Sequence, residues 1–264
     1  MMAQSVTEII ISMFFILPNP QSIADYVSAR LVDLISTKPQ AVLGLATGST
    51  MEPVYDRLTA QVTLEDIDVS QLITFNVDEY IGLGADHPQS YHYYMSEHLF
   101  NRLAFARHKT FLPDGLCVDL QEQCERYSRK IAEAGGIDLQ LLGIGGNGHI
   151  GFNEPGTSFQ SRTHVVDLSA QTRLDNGRFF ASMDEVPTQA ITLGLQDIIE
   201  AKQIILVATG NNKAQVMADL YYSAIDENMP ASIIKQHNNA MIIVDEAAAK
   251  LLPSEACKPL IATV

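Results

Sequence analysis

Short apolar runs alternate with stretches of helical periodicity along the chain, and no other feature restricts the fold as tightly. Ala41–Leu45, Gln71–Val77, Ile137–Ile144, Gln203–Val207 and Ala240–Val244 have the length of strands and end at turn residues. Between them lie amphipathic segments. Ile23, Val27, Leu31, Leu34 and Ile35 recur at helical spacing, and residues 118–135 form a polar amphipathic helix. Strand–helix alternation of this kind covers a parallel sheet with helices. The expected fold class is therefore α/β: a single-domain, mostly parallel open sheet with helices on both faces, Rossmann-like in architecture. No Pro/Ser-rich linker, charge block or low-complexity tract divides the 264 residues. Residues 13–264 are read as that domain, opening on a strand at Met13-Phe-Phe-Ile-Leu that Pro18 ends. Residues 1–12 read as an N-terminal extension, and the sequence leaves open whether they belong to the natural protein.

Composition removes several function classes. A formal charge of −14 disfavours binding to nucleic acid and to anionic membranes. A phosphorylated ligand would need local Lys, Arg and backbone N–H groups, which is feasible because distant charge is screened beyond about 8 Å at physiological salt. Cys117, Cys124 and Cys257 form no CxxC pair and no zinc spacing, so a reducing, cytoplasmic setting is expected. The apolar run Ile9–Leu17 is too short to span a bilayer, and no Lys or Arg precedes Arg30 to make a signal peptide. It reads as a buried N-terminal strand.

The chemistry concentrates in Leu141–Gly156, L-L-G-I-G-G-N-G-H-I-G-F-N-E-P-G. An apolar strand runs into a bend with glycines at 143, 145, 146, 148 and 151, which permit positive φ and close approach to a ligand. Asn147, His149 and Glu154 stand on that bend, and a His and a Glu that share a proton suit general acid–base work. Gly143-x-Gly145-x-x-Gly148 fits a dinucleotide fingerprint, with Asp167 downstream as a ribose-binding acid. That fingerprint needs a helix after its third glycine, and Pro155-Gly156 interrupts the span. A P-loop fails because His149 stands where Lys is required.

Other strand ends supply further polar groups. Ala41–Leu45 leads to Ala46-Thr47-Gly48-Ser49-Thr50 and a helix beginning near Glu52-Pro53. Such a turn is a ready anion site, or an ordinary N-cap, and the residues alone leave both readings open. Gln203–Val207 leads to Ala208-Thr209-Gly210-Asn211-Asn212-Lys213, a similar turn with Lys213 as a point charge for phosphate or as a solvated Lys. The strand Gln71–Val77 stops at Asp78-Glu79-Tyr80, where one carboxylate points into a cleft and the other away. His87–His98 holds three His and three Tyr. The His spacing does not suit a metal, and a lid or wall over the cleft fits better. Thr172–Phe180 reads as a connection carrying Arg173 and Arg178, for which a surface position is the commoner case. Ala240–Val244 ends at Asp245 before an Ala-rich helix. Ligands of open α/β sheets bind beyond the carboxyl ends of the strands, so these loops converge on one site. A carboxylate base, a His/Glu/Asn cluster and an anion pocket, without metal or cofactor, suit proton transfer on a small phosphorylated substrate.

L-G-L-A-T-G-S-T (43–50), F-N-V-D-E-Y (75–80), H-P-Q-S-Y (87–91), L-G-I-G-G-N-G-H-I-G-F-N-E-P (142–155), S-R-T (161–163), R-F-F (178–180) and A-T-G-x-x-K (208–213) closely resemble the glucosamine-6-phosphate deaminase family. The resemblance runs in order from about Met13 to about Ala248. It implies conversion of glucosamine 6-phosphate and water to fructose 6-phosphate and ammonia, by ring opening and an enediol(amine) intermediate. By this resemblance the catalytic residues are Asp78 as base, His149 for ring opening, and Glu154 and Asn147 as its orienters. The substrate phosphate is expected among Thr47, Gly48, Ser49, Thr50, Arg178 and Lys213. No metal and no cofactor are implied. The expected partner is a small-molecule hexosamine 6-phosphate, with homo-oligomerisation left open. Many members carry Asp at the place of Asn147, which cannot take a proton. The allosteric site of larger members uses basic residues where this chain has His164 and Val166, so activation by N-acetylglucosamine 6-phosphate is not expected. A hydrolase resembling the sister 6-phosphogluconolactonases, and a non-catalytic sugar-phosphate-binding module, are the alternatives.

Overall fold

The computed structural model describes residues 13–260, so residues 1–12, read above as an extension, lie outside the described residues. The chain enters through β1 (Phe14–Leu17) and α1 (Pro20–Thr37). Asn19 caps α1 by accepting a hydrogen bond from Ser22 N–H at 2.9 Å, and Pro20 occupies the first turn, where its missing N–H costs nothing. Ile23, Val27, Leu31 and Ile35 form the buried face of α1, as their spacing predicts. There follow β2 (Val42–Leu45), α2 (Glu52–Leu64), β3 (Ile73–Asn76), β4 (Asp78–Tyr80) and α3 (Tyr91–Met95), which continues through a π-helical turn over Ser96–Phe100. Next come β5 (Thr110–Phe111), α4 (Leu120–Glu133), β6 (Leu139–Leu142), β7 (His164–Asp167), α5 (Ala170–Gly177), β8 (Gln189–Thr192) and α6 (Leu195–Ile199). The chain closes with β9 (Ile204–Ala208), α7 (Ala214–Tyr222), β10 (Ala240–Asp245) and β11 (Lys258–Pro259).

Eight strands form one parallel sheet in the order β11-β1-β10-β9-β6-β2-β3-β5. Its inner strands β2, β6 and β9 are buried along their whole length, which explains why they read as unbroken apolar runs. The strand that feeds the glycine bend, β6, is flanked by β2 and β9, the two strands that feed the A-T-G turns. Parallel pairing therefore brings all three loops to one rim. One glycine is required inside the sheet. The side chain of Gln140 on β6 lies across Gly44 on β2, in the space a Cβ would fill. At the amino end of β6, the carboxylate of Asp138 accepts from the Lys38 and Lys202 ammonium groups, each at 2.7 Å, and from Val42 N–H at 2.8 Å.

Three features depart from the sequence reading. Asp78–Tyr80 does not end a strand: it is β4, the edge of a second, antiparallel sheet ordered β4-β8-β7. The chain changes sheets at Val77, whose N–H donates to Leu45 O (3.0 Å) while its carbonyl accepts from Leu193 N–H (2.7 Å). Two acids fit in this strand because successive side chains point to opposite faces: Glu79 meets the N–H groups of Tyr91 and His92, and Asp78 faces the cleft. The connection Thr172–Phe180 is mostly helical: α5 is capped by Ser169, whose hydroxyl accepts from Thr172 N–H at 3.1 Å. Residues 246–252 are turns rather than an Ala-rich helix. Asp245 binds Ala248 N–H at 2.7 Å and Gly210 N–H at 3.0 and 3.1 Å, and Pro253 leaves too few residues for helix propagation.

Candidate active site

A cleft of about 760 Å³ opens at the carboxyl rim of the parallel sheet. The first turn contributes Thr47, Gly48, Ser49 and Thr50, β4 contributes Asp78, the glycine bend contributes His149, and Arg178 and Lys213 add cationic side chains. Asn147 and Glu154 do not line this cleft and stand behind His149. The two A-T-G turns share a backbone device, positive φ at Gly48 (105°) and at Gly210 (88°), which only glycine adopts freely.

The glycine bend aims one imidazole. Glu154 is an acceptor only, so the Asn147 amide nitrogen must face it, at 2.7 Å. The Asn147 carbonyl oxygen is thereby turned to His149 Nδ1, also at 2.7 Å, and that nitrogen must carry the proton. The neutral ring then keeps its lone pair on Nε2. Burial lowers the His149 pKa, with Lys213 acting in the same direction and Glu154 and Asp175 opposing. Glu154 stays ionised: burial raises its pKa, but the Thr172 hydroxyl, the Asn147 amide and His149 outweigh that and lower it. The ring of His149 lies directly on Gly145, where any Cβ would collide with Cε1, Nε2 and Nδ1. No helix follows Gly148 before α5, so the dinucleotide pattern lacks its helix N-terminus.

On β4 the two acids diverge as expected. Asp78 is 7% exposed, and burial, reinforced by the neighbouring Glu79, pushes its carboxyl up to about 8. Once ionised, a carboxylate with such a pKa is a much stronger base than an ordinary one, and it becomes so as the pH rises through that value. Glu79 lines no part of the cleft and accepts N–H bonds from Tyr80, Tyr91 and His92, each at 2.9 Å. Burial still pushes it up to about 7.

The His/Tyr segment forms a wall, and it does so through its tyrosines. Tyr91 and Tyr94 line the cleft, and the Tyr94 hydroxyl donates to Gly48 O at 2.9 Å. Among the described residues no three His, Cys, Asp or Glu side chains gather as metal ligands. At the cationic end, Lys213 Nζ donates to Ile144 O at 2.6 Å, and burial lowers its pKa. Arg178 extends over the Phe179 ring, 4.7 Å from its centroid, and Arg173 binds the carbonyls of Met183 and Val186 outside the cleft. Thr172, Thr209 and Asn212 also line the cleft and were not singled out from the sequence. The helix signal Ser169-x-x-Thr172 was available for the first of these; its contact with Glu154 was not.

An open parallel α/β sheet with a buried carboxyl, an oriented imidazole and a cationic end in one cleft defines an enzyme-like scaffold for a small anionic ligand. Residues 20–243 match the family described as glucosamine-6-phosphate isomerases/6-phosphogluconolactonase, and the chain belongs to that family. It is 48% identical over 226 residues to a glucosamine-6-phosphate deaminase of Thermoanaerobacter sp. (strain X514), covering 86% of this chain and 89% of the relative. The solved structure of a monomeric glucosamine-6-phosphate deaminase superposes with a TM-score of 0.89 at 42% identity, covering 90% of this chain and 99% of that one. A 6-phosphogluconolactonase from Trypanosoma cruzi shares the fold, with a TM-score of 0.75 at 19% identity over 91% of this chain and 96% of that one.

Proposed function

We propose that this chain is a glucosamine-6-phosphate deaminase, converting glucosamine 6-phosphate and water to fructose 6-phosphate and ammonia. The observation that carries the reading is the sharing of one cleft by a buried, strongly basic carboxylate (Asp78) and an imidazole whose free nitrogen is fixed by a carboxamide relay. In this reading the substrate phosphate sits among Thr47–Thr50, Arg178 and Lys213. His149 Nε2 takes the proton from the anomeric hydroxyl and returns it to the ring oxygen, which opens the sugar. Asp78 removes the proton from C2 and delivers it to C1 while a proton passes from the amino nitrogen to O1, turning the open amino aldose into a ketimine. Water then replaces the nitrogen at C2, which leaves as ammonia. Hydrolysis of a 6-phosphogluconolactone would use the phosphate end and His149, but would leave Asp78 without a proton to move between carbons. No helix of the described residues is long and apolar enough to cross a membrane, and the three cysteines are free, which supports work in a reducing, cytoplasmic compartment.

The test is ammonia release from glucosamine 6-phosphate, with galactosamine 6-phosphate and 6-phosphogluconolactone alongside. Wild type is expected to give ammonia and fructose 6-phosphate from the first. Asp78→Asn is expected to abolish isomerisation while leaving phosphate affinity nearly intact. Turnover of the lactone without ammonia would overturn the chemistry, and an Asp78→Asn enzyme with near-normal rate would remove the assigned base.

A further inference from the structure

Glu79 is 2% exposed, faces away from the cleft and has no part in the chemistry above. Its contacts are nevertheless specific. Oε1 accepts from Tyr91 N–H as well as Tyr80 N–H, and Oε2 accepts from His92 N–H. Tyr91 and His92 open α3, where backbone N–H groups have no partner within the helix. Ser90 Oγ takes the next one, Tyr93 N–H, at 3.0 Å. The carboxylate on β4 therefore ties down the first turn of the wall helix. That turn carries Tyr91, whose ring stacks on Phe152 of the His149 bend (centroids 6.0 Å apart, 9° between planes). One turn further, Tyr94 holds the Gly48 carbonyl of the first A-T-G turn. Two loops of the cleft and the strand that bears Asp78 thus meet on one short helix.

Resting on the assignment of Asp78 as the base, we propose that Glu79 is a positioning residue for catalysis: its carboxylate fixes the α3 wall to the base-bearing strand and sets a like charge one residue from Asp78. The other titratable groups whose fields meet Asp78 are the phenols of Tyr80 on β4, Tyr91 on α3 and Tyr127 on α4, all held neutral by burial. The cleft itself also holds Glu52, His149, Asp175, Arg178 and Lys213. Among the groups that act on Asp78, Glu79 is the one that becomes charged near neutrality, so it opposes ionisation of Asp78 where the enzyme works.

Three substitutions separate anchoring from charge. Glu79→Gln removes the charge and sets an amide donor against one N–H. The acid limb of kcat/KM for glucosamine 6-phosphate is expected to move to lower pH by about one unit, with KM raised roughly 2- to 10-fold. Glu79→Asp keeps the charge but loses reach to α3, so the limb is expected to stay in place while KM rises. Tyr94→Phe removes the wall-to-turn bond alone, and it too should raise KM without moving the limb. Circular dichroism checks that each variant is folded. A folded Glu79→Gln enzyme whose limb stays at the wild-type pH overturns the proposal. Should that variant fail to fold, Glu79→Asp decides, and an unchanged KM there overturns it. Asp78→Asn, measured in parallel, reports on the base assignment separately: near-normal turnover there defeats that assignment without any Glu79 variant.

Discussion

The Asp78 carboxyl and the His149 imidazole are tuned by opposite means. Asp78 is basic because water is excluded and a like charge is adjacent, whereas His149 is neutral because its ring is buried and its one proton is held by Asn147. Two predictions follow from single atoms. The acid limb of kcat/KM, which reports the free enzyme, is expected to have its midpoint near pH 8, with activity falling as pH drops and Asp78 takes up its proton. A midpoint near the ordinary carboxylate value would show that the base is solvated. Gly145→Ala is expected to push the His149 ring off its place and lower kcat roughly 100-fold with a smaller change in KM. Steady-state kinetics against glucosamine 6-phosphate would expose the error if kcat were retained. Much of this inventory was legible in the sequence, because glycines and acid–base residues crowd together between Gly143 and Glu154. The tautomer was not. It depends on which way one carboxamide faces, and that is set in part by Thr172, a residue 18 positions from Glu154 in the chain.

Among the elements, the parallel strands announce themselves and the small sheet does not. β2, β6 and β9 are buried on both faces and read as apolar runs, while β4 holds Asp78, Glu79 and Tyr80, whose composition argues for a loop. Only the pairing with β8 and the partners on each face make that segment a strand. α5 was likewise hidden, since its sequence is polar and its buried residue is a single Thr. A strand interior supplies a further prediction. Gly44→Ala forces the Gln140 side chain to move within a closely packed sheet and is expected to cost about 1–3 kcal/mol of stability. Urea unfolding should show a lower midpoint at an unchanged slope; an unchanged midpoint would mean that Gln140 has room to turn aside.

Over the whole molecule, the two rims of the sheet divide the labour. The carboxyl rim gathers the residues of the candidate site, and the amino rim is closed by Asp138 between Lys38 and Lys202. Burial alone would raise the Asp138 pKa, but the two ammonium groups and Val42 N–H outweigh it and lower it. Asp138→Asn is therefore expected to cost about 1–3 kcal/mol at neutral pH, held to that range because both lysines are half exposed. A depressed carboxylate stabilises above its unfolded pKa, so the gap between wild type and variant should shrink as pH falls below about 4. Denaturant midpoints measured across that range test it, and a gap that persists in acid would refute the ion-pair account. The change of sheets at Val77 has a mechanical meaning. Val77 is bonded to both sheets, so it is a fulcrum, and Asp78 sits on the shortest lever arm available, one Cα step of about 3.8 Å. A 10° rocking of the small sheet about that point would carry the Asp78 backbone through only about 0.7 Å. Any sway of the outer strands would thus leave the proposed base almost still.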